Sequence, residues 1–261
     1  MNRQATANIE WCKARNVAAM ELDYLAVLGP ELDAFVGALD EGPLGAPVEA
    51  CPGWDLGRLG AHVAFVHRWA TAAVTTAVSP PPESIPEAPT EQKALVAWVR
   101  AGGAALIDAL SRVPVDAPTW HPFPAARTAG VWRRRQVCEL VVHRWDAEDA
   151  IGRGGSIDPV VASDAIDEYF SLMLPRRIIR DGGELPRSRL HVHCIDTPGE
   201  WLLTAEGNEL QVRREHAKGD AALRGTAQAL LLSLWGRGHR SPAIDVVGDP
   251  LVADAWLGLG G

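Results

Sequence analysis

The chain has 261 residues, a length that suits two ordinary domains better than one large one. Its hydrophobic share of 47% and charged share of 22% are those expected of a soluble globular protein with a proper core. The formal net charge of −8 argues against a nucleic-acid or anionic-membrane partner, and the two basic clusters, "RRRQ" and "LPRRIIR", both lie inside helical patterns.

The opening segment "MNRQATANIEWCKARN" has no long apolar stretch, so no secretory signal is expected. No run of about 18 uncharged apolar residues occurs, so no transmembrane helix is expected and the location reads as cytoplasmic. Residues 17–40 follow a helical pattern that Pro30 is expected to kink or divide. The Gly- and Pro-dense segment "EGPLGAPVEACPGWD" is a loop, and Asp55 is placed to cap a second helix, "LGRLGAHVAFVHRWATAAVTTAV". After the tract "SPPPESIPEAPT" come a third amphipathic helix at 91–112, a further loop containing His121, and a fourth helix at 130–151 ended by Gly152. Four long helices with Pro-rich connections describe a helical bundle.

"GRGGSIDP" reads as a linker, which predicts domains at 1–154 and 155–261. Beyond a helix at 159–179 the pattern changes to short alternating segments, "RLHVHCID", "EWLLTAE" and "ELQVRREH", with "DAALRGT" as a further candidate and "AIDVVGD" as a closing strand. These predict an antiparallel sheet, accompanied by helices at "TAQALLLSLWGRG" and "PLVADAWLGLG", the latter with Pro250 in its first turn. The second half is therefore α+β. Cys12, Cys51, Cys138 and Cys194 are scattered without a CxxC pair, which fits reduced thiols better than a disulfide framework.

Chemistry concentrates in "RRRQVCELVVHRWDAEDAIG", where Glu139, His143 and Asp146 interrupt an otherwise apolar helix. Ionisable side chains in such a place need partners. Glu139 and His143 are four apart, so their Cβ atoms stand about 5–6 Å apart on one face, with Asp146 on the same stripe. The pair can share a divalent metal, or it can form a hydrogen-bonded helix contact with Asp146 paired to an arginine. A catalytic zinc needs a third ligand, and the second helix offers His62, with His67 as a rival facing another direction. His62, Glu139 and His143 would make a two-His, one-carboxylate set on facing helices, as bundles use for metal centres. Cys51, at a loop-to-helix junction in "ACPGWD", can be read as an activated thiol or, as favoured here, as part of a shaped turn. HExxH, Walker, Rossmann and GxSxG patterns are absent.

"CPGWDLGRLGAHVAFVHRW" together with "RRRQVCELVVHRWDAEDAIG" resembles the mycothiol-dependent maleylpyruvate isomerase family of actinobacteria. The resemblance implies a DinB-like four-helix metal-binding domain followed by a smaller α+β, sterol-carrier-like domain, and it covers nearly the whole chain. It further implies zinc at His62, Glu139 and His143, with mycothiol as the thiol cofactor acting on a small-molecule electrophile. S-transfer and cis–trans isomerisation of maleylpyruvate type share all these residues, and S-transfer is the more general reading. Arg237, in "LWGRG", matches an arginine of the family that reaches the active site, where it would be catalytic; otherwise it is a surface arginine ending a helix. Asp146 becomes the group that orients His143 or an arginine. A non-enzymatic carrier of small apolar ligands is the alternative from another class.

Overall fold

The computed structural model of the protein describes residues 22–182, 184–237 and 244–259. The segment read for a secretory signal, Cys12 and the first residues of the expected 17–40 helix lie outside the described residues, as does 238–243. Helix α1 spans Tyr24–Glu41 and is capped by Asp23, whose carboxylate accepts from Leu25 N and Ala26 N. It runs undivided through Pro30, because the proline removes one hydrogen bond from a helix whose Leu28, Leu32, Phe35 and Leu39 are all buried. Burying each such side chain contributes roughly 1.5–3 kcal/mol. Helix α2, Leu56–Thr76, starts at the expected cap, with Asp55 accepting from Arg58 N at 2.8 Å.

Helix α3 spans Gln92–Arg112 and is long and apolar enough to cross a membrane by length and composition alone. Its Leu95, Val99, Leu106 and Leu110 are buried and it packs on α1 and α2, while Arg100, Asp108 and Arg112 are exposed. These contacts account for it as a bundle helix. Helix α4, Ala129–Ala150, packs on α1 and α2 and is buried around most of its circumference. Apolar Trp132, Leu140, Val141 and Trp145 share it with buried Arg135, Arg144, Asp146 and Glu148, so its charges must be neutralised inside the fold.

Residues 151–158 carry neither helix nor strand and lead to α5, Pro159–Glu168, which has proline in its first turn and Asp158 as its cap. A π-helical turn at Tyr169–Met173 continues directly into α6, Leu174–Asp181. The basic run of α4 docks this unit. Arg134 donates to Asp164 and Asp167, and Arg135 grips both oxygens of Glu168 at 2.8 and 2.9 Å. Arg133 donates to the carbonyls of Leu110 and Val113. "RRRQ" is thus an internal set of ties.

The sheet contains β1 Leu190–Cys194, β2 Glu200–Glu206, β3 Glu209–Arg213, β4 Ala221–Gly225 and β5 Asp245–Gly248, in the order β3-β2-β1-β4-β5. Helix α7, Ala227–Leu234, follows β4, and α8, Pro250–Leu257, follows β5. The β1–β2, β2–β3 and β4–β5 pairs are antiparallel, but β1 and β4 run parallel, so the sheet is mixed rather than antiparallel throughout. Alternating segments look alike whichever way they pair. Here the 214–220 connection carries the chain from β3 across to the far side of β1, and that long-range step sets the direction.

Candidate metal centre

Helices α2 and α4 lie side by side and present His62 and Glu139 to each other. The His62 Nε2 stands 3.0 Å from Glu139 Oε1, and His143 Nε2 stands 3.3 Å from the same oxygen. One ligand atom from each of the three residues lies within 4.8 Å of the others. The two imidazoles meet edge to face, with ring centroids 5.2 Å apart, and Trp54 packs edge-on against His62 at 5.0 Å.

Glu139 and His143 are each held from behind. Arg135, one turn before Glu139, donates to Glu139 Oε2 and anchors itself on Glu168. Burial opposes ionisation of Glu139, but Arg135 and His143 outweigh it and hold the carboxyl well below its usual range. His143 Nδ1 donates to Asp146 Oδ2 at 2.9 Å, which fixes its tautomer and leaves Nε2 turned to Glu139. Burial pulls the His143 pKa down, yet Glu139 and Asp146 push it up to about 9. A histidine binds a metal as the neutral imidazole, so metal binding here displaces a proton.

Asp146 is fully enclosed and takes Arg237 Nε on Oδ1 at 3.0 Å and Arg237 Nη2 on Oδ2 at 2.7 Å. Burial would raise its pKa, but the hydrogen bonds from His143 and Arg237 lower it. Arg237 is aimed by the end of α7. Arg237 N donates to Leu232 O and Gly236 N to Ser233 O, the paired bonds of a Schellman turn, with Gly236 at φ +75°. That left-handed backbone favours glycine. Arg237 is therefore buried at the junction of the two halves, and the reading of it as a surface residue does not hold.

Cys51 is half-buried, its Sγ 3.6 Å from Arg237 Nη2 and 4.0 Å from Asp146 Oδ2. Burial and Asp146 raise its thiol pKa, the reverse of an activated nucleophile. Cys51, His143 and Asp146 also bring ligand atoms within 4.8 Å, but the Arg237 guanidinium already occupies that side and opposes a second cation. The His62, Glu139 and His143 set fits a divalent metal better. Two imidazoles and a carboxylate are a zinc donor set that leaves a fourth position for another ligand.

His67 sits apart from the trio, wholly buried, with neither ring nitrogen hydrogen-bonded to protein, and burial lowers its pKa to about 4. His121 shapes its own loop, bonding Ala126 O through Nε2 and Phe123 N through Nδ1. Sequence reasoning missed Arg135 and Glu168 as supports of Glu139. The i,i+4 spacing of Arg135 and Glu139 is a signal for the first. No local signal exists for Glu168, which is 33 residues from Arg135.

Residues 25–148 match the family described as mycothiol maleylpyruvate isomerase N-terminal domain. A crystal structure of mycothiol-dependent maleylpyruvate isomerase is similar to the chain at 15% identity and a TM-score of 0.53, covering 86% of this chain and 91% of that one. The crystal structure of a histidine-to-alanine mutant of mycothiol-dependent maleylpyruvate isomerase gives 13% identity and a TM-score of 0.55 over the same shares. At these identities the likeness establishes the fold, and it extends through both halves. No curated protein matches the chain in sequence.

Proposed function

We propose that the protein is a metal-dependent enzyme using mycothiol as nucleophile toward a small electrophile, since residues 25–148 match the model of the mycothiol maleylpyruvate isomerase N-terminal domain. The observation that carries this is the meeting of His62 Nε2 and His143 Nε2 at one oxygen of Glu139. Zinc held by His62, Glu139 and His143 would lower the pKa of a nearby thiol and so supply thiolate at neutral pH.

The chain's own residues prepare that site. Asp146 keeps the His143 proton on Nδ1, Arg135 keeps Glu139 ionised, and Arg237 keeps Asp146 ionised by a bidentate grip. We assign Arg237 a positioning role through Asp146, since its Nε and Nη2 are engaged there and its Nη1 donates to Trp235 O. Cys51 remains a neutral thiol beside the site, so the nucleophilic sulfur comes from the cofactor. The three described cysteines are free, in accord with the reducing, cytoplasmic setting proposed for the enzyme.

We read the reaction as S-transfer, in which the new carbon–sulfur bond is kept. Isomerisation of maleylpyruvate type, in which that bond breaks again after rotation, is the second reading. It is favoured by the fold likeness running through both halves of the isomerase structures. Incubation with zinc, mycothiol and a panel of electrophiles including maleylpyruvate, read by mass spectrometry, tests both. A thiol adduct supports transfer, an isomer of unchanged mass supports isomerisation, and neither product across the panel overturns the enzyme reading.

A further inference from the structure

A second cluster of metal-ligating side chains stands on the sheet and shares no residue with the bundle site. His191 and His193 are two apart on β1 and project to the same face, opposite the buried Leu190, Val192 and Cys194. Glu200 is the cross-strand partner of His193 at the start of β2. His216 comes from the connection between β3 and β4 and leans over them.

The geometry is convergent. His193 Nδ1 lies 2.5 Å from Glu200 Oε1, and His216 Nδ1 lies 3.0 Å from each oxygen of Glu200. His191 Nε2 stands 4.0 Å from Glu200 Oε2 and makes no hydrogen bond, although its side chain is only 9% exposed. One ligand atom from each of the four residues lies within 4.8 Å of the others. An ordinary ion-pair cluster explains His193 and His216. It leaves unexplained a buried imidazole nitrogen aimed at the same carboxylate and bonded to nothing, an arrangement that is unfavourable without a partner.

We propose that His191, His193, Glu200 and His216 form a second, closed site for a divalent transition-metal ion of the zinc class. Three imidazoles and one carboxylate suit zinc, nickel or copper, whereas magnesium and calcium need an oxygen cage. Four protein ligands leave no position for a substrate, which is the pattern of a structural site. The ion would tie β1, β2 and the 214–220 connection together, bracing the chain segment that makes the sheet mixed. This inference does not rest on the proposed enzymatic function.

The test is titration of chelator-stripped, full-length protein with zinc alone, read by calorimetry and native mass spectrometry. The wild type should take two equivalents, His216→Ala one, and His143→Ala one. His143→Ala combined with His216→Ala should take none. The His216 side chain is 77% exposed, so its loss should leave the circular dichroism spectrum unchanged. Zinc should raise the Tm of His143→Ala but not that of the double variant. His62→Ala serves in place of His143→Ala should the latter not fold. If either bundle variant, once folded, takes up no zinc, or if His216→Ala retains every equivalent of the wild type, the second site does not exist. A wild type that binds one equivalent, lost on His216→Ala and kept on His143→Ala, would uphold this site and remove the bundle one.

Discussion

Arg237 reaches out of the Schellman turn after α7 and closes a bidentate ion pair on Asp146, 91 residues earlier in the bundle. The same carboxylate holds His143 Nδ1 at 2.9 Å. One line of contacts therefore runs from the C-terminal half, through a buried acid, to a candidate metal ligand.

Arg237→Ala removes one partner of a buried pair and leaves the Asp146 charge unmatched. The protein should lose ~3 kcal/mol of stability, measured by urea unfolding. If Arg237 positions His143 through Asp146, zinc affinity by chelator competition should also fall, and Arg237→Lys should restore it only in part because lysine lacks the planar fork. Unaltered zinc affinity in Arg237→Ala would confine the residue to a structural role.

Asp146→Asn keeps the side-chain shape but removes the charge that orients His143. Zinc affinity should drop about 10–100-fold while the helical signal stays intact. Adding Arg237→Ala to Asp146→Asn should lower affinity little further, because both act along one route. Full additivity of the two losses would show that Arg237 acts by another path.

Cys51→Ser should retain thiol-dependent turnover, and wild-type Cys51 should react slowly with iodoacetamide at neutral pH. Both follow from a thiol whose pKa is raised by burial and by Asp146. Loss of turnover on that substitution would transfer the nucleophile from the cofactor to the chain.

His67 should contribute to the loss of stability in acid. In the folded chain burial keeps it unprotonated until about pH 4, with Arg68 and His62 opposing the pull of Glu139, whereas the unfolded residue takes its proton near 6.5. The unfolded state binds more protons between those values, so stability present above pH 6.5 is lost as the pH falls toward 4. The full loss is ~3 kcal/mol. Chemical unfolding at pH 7 and pH 4, with chelator present throughout, should show His67→Leu losing less stability than the wild type. Equal losses in the two proteins would remove His67 from the acid response.

The local parts of this molecule were legible in the sequence. Asp55 announces α2, Gly and Pro mark the loops, and the four-residue spacing of Glu139 and His143 places both on one face of α4. His62 was grouped with them because a third donor was chemically required, and the neighbouring helix brings it to 3.0 Å from Glu139. Contacts across long separations left no such mark. Glu168 supporting Arg135 and Arg237 gripping Asp146 arise only when α5 and α7 dock on α4. The parallel β1–β4 pairing escaped for the same reason, since period-two alternation carries no strand direction. The "HVH" of β1 read simply as a strand, because its two histidines gain meaning only beside Glu200 and His216.

The central claim is that His62, Glu139 and His143 hold a metal on which thiol chemistry depends. It is tested most directly by comparing His143→Ala with the wild type, each loaded with zinc and incubated with mycothiol and the electrophile panel, with products read by mass spectrometry. The account predicts a thiol adduct or an isomer from the wild type and neither from His143→Ala, whose circular dichroism spectrum should match that of the wild type. Undiminished product formation by His143→Ala would contradict it.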